Sequence, residues 1–136
     1  MAKIGSIKTD GGAERDGVWA TYPGTDIKVK VARFGNPTFE ADSREFRRLA
    51  KQAKDGVELT ERESKDAVAP AVARHLIKDW QNIEDDDGAQ IPFSIAKAEE
   101  LLKTPELHDF YDWVVRTSRD ADRFRKADVA GVAGKS

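Results

Sequence analysis

Apolar and basic side chains alternate through Ile27-Lys28-Val29-Lys30-Val31, and the run continues into Ala32-Arg33-Phe34. A period of two turns successive side chains to opposite faces of a strand. Ile27, Val29 and Val31 are therefore expected inside, with Lys28, Lys30 and Arg33 near solvent. Val18-Trp19-Ala20-Thr21-Tyr22 also has strand composition, and Pro23-Gly24-Thr25-Asp26 between the two runs is a turn cluster. Together they read as a β-hairpin, an element too small to stand without another layer against it. Gly35-Asn36-Pro37 ends it. Ahead of it, residues 1–16 are polar and Gly-rich and are expected to be flexible, with a short strand over residues 3–8 as their one candidate element.

Beyond the hairpin the period changes to that of helices. Phe39, Phe46, Leu49, Ala50 and Ala53 form an apolar stripe over residues 38–54, beside a basic face of Arg44, Arg47, Arg48 and Lys51. Asp55-Gly56 stops that helix. Thr60-Glu61-Arg62-Glu63 has the form of a capping box, in which the Thr hydroxyl and the Glu carboxylate satisfy each other's free backbone N–H groups. The helix it opens carries Ala67, Val68, Val72, Leu76, Ile77 and Trp80 on one side, and Pro70 within it is expected to kink or split it. Ser94 caps a shorter helix with Ile95, Ala98, Leu101 and Leu102 inward. Thr104-Pro105 restarts the chain as cap and first helical residue. A last helix then runs to about residue 126 with Leu107, Phe110, Tyr111, Val114, Val115 and Phe124 inward. The reading is α+β: an N-terminal β-hairpin covering one end of four or five α-helices that share one core. One globular domain spans residues 17–126, and residues 127–136 form a flexible Gly- and Ala-rich tail.

Length and composition narrow the function. A chain of 136 residues is one domain by size, and 39% hydrophobic with 35% charged residues describes a soluble globular protein. A net charge of -2 argues against a protein built to neutralise phosphates, and no apolar run is long enough to span a bilayer. The absence of cysteine excludes disulfides, thiolate metal sites and cysteine nucleophiles.

The residues with chemical potential are few. Glu84-Asp85-Asp86-Asp87-Gly88 suggests a calcium loop, but with Gly88 at the loop's sixth position its first and twelfth fall on Ile83 and Ser94, which supply no anchoring ligand. The plainer reading is a solvated acidic turn, beside the positive end of the next helix and fixed by buried Trp80 and Phe93. His75 and His108 sit on different helices, and neither has an orienting partner that the sequence identifies. Gly134-Lys135-Ser136 lacks the upstream glycine, strand and helix of a phosphate-binding loop. The basic cluster of Arg116, Arg119, Arg123, Arg125 and Lys126 is interleaved with Asp112, Asp120, Asp122 and Asp128, which cancels much of its field. No catalytic residue, metal ligand or cofactor is assigned. Trp80, Phe93, Leu101, Leu102 and Leu107 gather around the acidic turn, and helical spacing is compatible with their lying in the core or along an exposed groove.

These residues carry a resemblance. Trp19, Tyr22-Pro23-Gly24, Ile27-Lys28-Val29 and Ala32-Arg33-Phe34-Gly35-Asn36-Pro37 come first. Leu76-Ile77-Lys78-Asp79-Trp80, Asp87-Gly88, Ile91-Pro92-Phe93-Ser94, Leu101-Leu102, Pro105-Glu106-Leu107 and Phe124 follow in order. In that order, over residues 17–126, the chain resembles the tail assembly chaperones of long-tailed bacteriophages.

The resemblance implies a non-catalytic protein of the host cytoplasm, absent from the finished virion. Such a protein keeps the tape measure protein soluble and extended until tail tube protein polymerises around it and displaces the chaperone. It implies the short form of a pair whose longer member arises by ribosomal frameshifting. It also implies self-association, with tail tube protein as a further partner and neither nucleic acid nor membrane. The contact surface expected on this basis is Trp80, Ile91, Phe93, Leu101 and Leu102. Two alternatives stand beside it. One is a tail-completion or connector subunit that stays in the particle; the other is a small DNA-binding regulator using the basic last helix.

Overall fold

The computed structural model describes residues 3–125, and the expected tail at 127–136 lies outside them. The predicted hairpin is present: β1 (Val18–Thr21) pairs antiparallel with β2 (Lys28–Val31), and Val29 and Val31 are fully buried as the alternation requires. Four α-helices follow it: α2 (Pro37–Ala53), α3 (Glu61–His75), α4 (Ile95–Leu102) and α5 (His108–Arg119). The fold is α+β.

The main departure lies at the end of α3. The helix expected to run through Trp80 stops at His75, and Ile77–Gln81 form a third strand, β3. It pairs antiparallel with β2 to give a sheet of order β1-β2-β3. Ile77 and Trp80 are three residues apart, a spacing that suggests one face of a helix. An irregularity between Lys30 and Val31 lets Val31 face Ile77 while Val29 faces Trp80. The extra residue restores both apolar side chains to the same face of the sheet. Leu76 sits at the junction, fully buried, and its carbonyl accepts a 2.8 Å bond from the Ala32 N–H. The free edge of β2 thus captures a segment whose local pattern favours helix.

The core lies between this sheet, α3 and α5. Helix α3 buries Val68, Ala69, Ala71, Val72 and Ala73, so neighbours press on several of its sides, and its alanines let them come close. It runs unbroken through Pro70. The expected capping box is in place: Glu63 N–H donates to Thr60 Oγ1 at 3.1 Å and Thr60 N–H to Glu63 Oε1 at 3.0 Å. Lys54 Nζ reaches the same carboxylate at 2.7 Å and ties the end of α2 to the start of α3. On α2, Asn36 caps Phe39 N–H at 2.7 Å, and the buried positions are Phe39 and Ser43. Leu49 is 46% exposed, so the far half of the expected stripe faces solvent. Ile95 of α4, expected inward, is 48% exposed while Ala98 and Leu102 are buried.

The last helix is shorter than its apolar pattern suggests. Pro105–Leu107 form a 3-10 turn in which Thr104 turns its hydroxyl back to the Glu100 carbonyl at 2.9 Å instead of capping. Helix α5 ends at Arg119, where Asp120 caps a second 3-10 turn, Ala121–Phe124, through a 3.1 Å bond from Asp122 N–H. That turn brings Phe124 into the core and its carbonyl to within 2.7 Å of Asp10 N–H.

Residues 9–16, within the N-terminal segment expected to be loose, therefore dock on the rest, while Ile4 and Ile7 are exposed. Residues 4–6 make a 3-10 turn where a strand was the candidate, and α1 (Gly11–Asp16) is capped by Asp10. The Glu14 carbonyl accepts a 2.8 Å bond from Arg33 N–H, which docks α1 beyond the end of β2. Gly17, at φ +97, joins α1 to β1, and a side chain there would press within 3.2 Å of the Val31 backbone.

Two outcomes follow from this packing. Leu76→Ala should cost about 2–5 kcal/mol by urea unfolding, whereas Leu49→Ala should stay within about 0.5 kcal/mol; equal losses would contradict the burial of Leu76 and the exposure of Leu49. The Lys54 ammonium, with the Thr60 N–H and hydroxyl, holds Glu63 down from an ordinary 4.5 to about 2. Because its folded value is depressed, the stability it contributes is complete above the ordinary carboxylate range and is lost as pH falls from there through about 2. Carboxyl NMR titration should find that low midpoint, and Lys54→Ala should raise it.

Candidate binding cleft beside the acidic turn

The connector after β3 is built on its own backbone. Asn82 takes a left-handed conformation at φ 66 and turns the chain out of the sheet, with its side-chain amide donating to the Asp26 carbonyl at 2.9 Å. Ile83 is buried, and its carbonyl accepts from Ile91 N–H at 2.8 Å. Between them the acidic residues close a tight loop. Asp85 Oδ1 accepts from Asp87 N–H at 2.9 Å and Ala89 N–H at 3.0 Å, and Glu84 Oε1 accepts from Gln90 Nε2 at 3.1 Å. Gly88, at φ +84, supplies the left-handed position the reversal needs. The carboxylate of Asp85 is thus engaged in holding the turn, as in the plainer sequence reading.

Trp80 joins this loop to the core. Its indole N–H donates to the Ile91 carbonyl at 2.7 Å, and its ring meets Phe93 edge-on with centroids 5.1 Å apart. At 5% exposure Trp80 is an interior residue, and so is Leu102 at 3%. Neither offers a contact surface, because the sheet claims the one and α3 the other. Ile91, Phe93 and Leu101 are half-buried. Ile91 and Leu101 line a cleft of about 660 Å³. Its other apolar walls are Tyr22 and Ile27 at the hairpin end, with Leu107 and Phe110 at the start of α5. Tyr22 is held there by Phe110 and Trp113, whose rings lie 5.7 and 5.1 Å from its own.

Sequence reasoning missed Tyr22 and Ile27 as cleft residues. The available signal was their place at the two ends of the hairpin turn, where a strand's inward face runs past the layer beneath it.

The rim of the cleft is acidic. Glu84, Asp85 and Asp86 stand on one side, and Glu106 and Asp109 on the other. Among the described residues no lysine or arginine pairs with them, and only His108 approaches, at 3.2 Å from Asp109. Several cations of the helical surface are engaged elsewhere: Arg48 with Glu45, Lys51 with Glu58, Lys65 with Asp112 and Arg125 with Asp122. Arg119 lies over the Phe34 ring at 4.2 Å. Arg48 and Lys51 of the first basic cluster, and Arg119, Arg123 and Arg125 of the second, are thus engaged by carboxylates or an aromatic face.

His75 does have the partner that the sequence did not identify. Asp42, on the facing turn of α2, places Oδ2 2.6 Å from His75 Nε2 and ties the end of α3 to α2. His108 is exposed in the first turn of α5, with Nδ1 3.0 Å from the Pro105 carbonyl. The two imidazoles face different elements, so the structure does not bring them together.

Among known proteins, the family of YdaY prophage proteins matches over residues 34–135, well over half of the chain. The chain belongs to the YdaY prophage protein family. The match begins at Phe34, so β1 and β2 precede it, while the acidic turn and the α4 and α5 walls of the cleft lie inside it. No curated protein and no solved structure matches the chain. Phage origin, which the sequence resemblance implies, is what this membership supports.

The hydrogen bond from Trp80 to Ile91 sets how firmly this prophage protein holds its cleft wall. Trp80→Phe keeps a ring in the core but removes the donor, leaves the Ile91 carbonyl unpaired and puts a smaller side chain in its place, and should cost about 1–3 kcal/mol or more in urea unfolding. Amide exchange should rise at Ile91 by more than at Val72; a uniform rise would mean that the bond does not secure the connector.

Proposed function

We propose that this prophage protein is a tail assembly chaperone that binds the tape measure protein through the cleft beside its acidic turn. The carrying observation is the combination of an apolar floor with a rim of carboxylates that have no basic partners among the described residues. A floor of Ile27, Ile91, Leu101 and Leu107 suits the apolar stripe of a helix laid in a groove. The rim suits lysines and arginines flanking that stripe, and like-charged segments are repelled.

In this proposal Ile91 and Leu101, which line the cleft, contact the partner directly. Phe93 stands behind Ile91, and Trp80 and Leu102 support the wall from inside. Binding is weak at each site and gains strength from many sites along one long partner. On this reading the chain works in the host cytoplasm without cofactor or catalysis, and growing tail tube displaces it.

Co-expression with the tape measure protein of the same prophage tests the reading. The partner should be soluble with the wild-type chain and aggregate with Leu101→Asp or without it. A partner equally soluble in all three cases would overturn the proposal. Abundant peptides of this chain in purified particles would favour the tail-completion alternative instead. Charge reversal at Asp86 and Glu106 to lysine, which leaves the floor intact, should weaken capture and flatten its dependence on salt.

A further inference from the structure

We propose that β1 is a self-pairing edge, through which two copies of this chain join their sheets about a two-fold axis. The pairing pattern of the hairpin decides which backbone groups are free. Tyr22 N–H donates to the Ile27 carbonyl at 2.8 Å, so Tyr22 faces β2 with its backbone groups. In an antiparallel ladder these groups alternate in direction. Ala20 and Val18 therefore also bond to β2, opposite Val29 and Val31, while Trp19 and Thr21 aim their N–H and C=O off the outer edge. Among the described residues nothing takes up those groups. Thr21 is exposed and Trp19 half-buried.

The two edges of the sheet differ in how they are guarded. On β3 the outward N–H of Trp80 is occupied by the Asp79 carboxylate at 2.8 Å, and Lys78 and Asp79 add charge beside it. Charges and self-satisfied donors are what keep an edge from recruiting another strand. Val18-Trp19-Ala20-Thr21 has no charge, no proline and no bulge.

The strand is complementary to itself. With the axis at Ala20, Trp19 of each copy exchanges both backbone bonds with Thr21 of the other. Ala20 meets Ala20 at the position where side chains come closest, and there the smallest side chain fits. No charged residue opposes a like charge, because Lys28 and Lys30 stand one strand back in each copy. A four-residue strand buries far less than the ~1,000 Å² of a standing interface, so the dimer is weak and forms by concentration. Copies gathered on one long partner have that concentration, and each dimer presents two clefts to it. The contact gives the chaperone reading a surface for self-association, but its test involves no tape measure protein and can fail independently.

Sedimentation of the full chain from micromolar to millimolar concentration should show a monomer passing to a dimer. Thr21→Pro removes an N–H that the ladder to β2 does not use, where an edge tolerates proline, and should abolish the dimer. Thr21→Val keeps the N–H and should leave dimerisation unchanged. Amide exchange of the wild-type chain gives a readout that needs no variant: protection at Trp19 and Thr21 should rise with concentration, and that at Ala20 should not. A monomer at millimolar concentration, or protection that does not change at Trp19 and Thr21, would overturn the proposal.

Discussion

The pairing of β3 onto the free edge of β2 is the contact on which the rest of the structure rests. A two-stranded hairpin of this size buries too little to persist, and the helices offer it no hydrogen bonds along its edge. Addition of Ile77–Gln81 gives β2 partners on both sides and closes the inner face with Ile77 and Trp80. It also fixes where α3 stops, since Leu76 must surrender its carbonyl to Ala32. The bulge beside Val31 makes this possible, because without it one of Ile77 and Trp80 would turn to solvent.

Trp80 carries that constraint outward. Its ring belongs to the sheet, but its indole N–H holds the Ile91 carbonyl, and through it the whole acidic connector. The cleft exists because the hairpin end, this connector, the end of α4 and the start of α5 are each fixed to the core and do not quite meet. Its charge follows from the same geometry. The turn must reverse within a few residues, and carboxylates that accept from backbone N–H groups make such a reversal. Glu84, Asp85 and Asp86 of the turn gather on the rim of the cleft, while helical cations such as Arg48, Lys51 and Lys65 pair with carboxylates elsewhere. A device that closes a loop thereby also gives the cleft its sign.

Much of the fold was legible wherever the deciding forces were local. The alternation from Ile27 to Val31, the capping box at Thr60 and the cap at Ser94 all appear where the residues placed them. The errors have separate physical causes. Ile77 and Trp80 were read as helical because a bulge changes the period of a strand without leaving a mark in composition. The final helix was read as continuous to about residue 126 because Asp120, which ends it by capping the next turn, also fits an exposed helix face. Composition makes residues 1–16 look loose because the contacts that order residues 9–16 come from Phe124 and Arg33, distant in sequence. Of the five residues expected at the contact surface, Ile91 and Leu101 line the cleft, Phe93 is half-buried against Trp80, and Trp80 and Leu102 are interior. Apolar spacing identifies a buried face but does not say whether the burying partner is the same chain.

By itself the sequence determined the α+β class, the hairpin, the caps at Thr60 and Ser94 and the acidic reversal, because each depends on residues within a few positions of one another. Tertiary structure alone decided that residues 77–81 are a strand, that α1 docks, that Asp42 meets His75 and that Tyr22, Ile27, Ile91, Leu101 and Leu107 share one cleft. Those outcomes depend on which surfaces find each other once the chain collapses. A strand's free hydrogen-bonding edge outweighs a helical pattern when only the edge supplies both partners and burial.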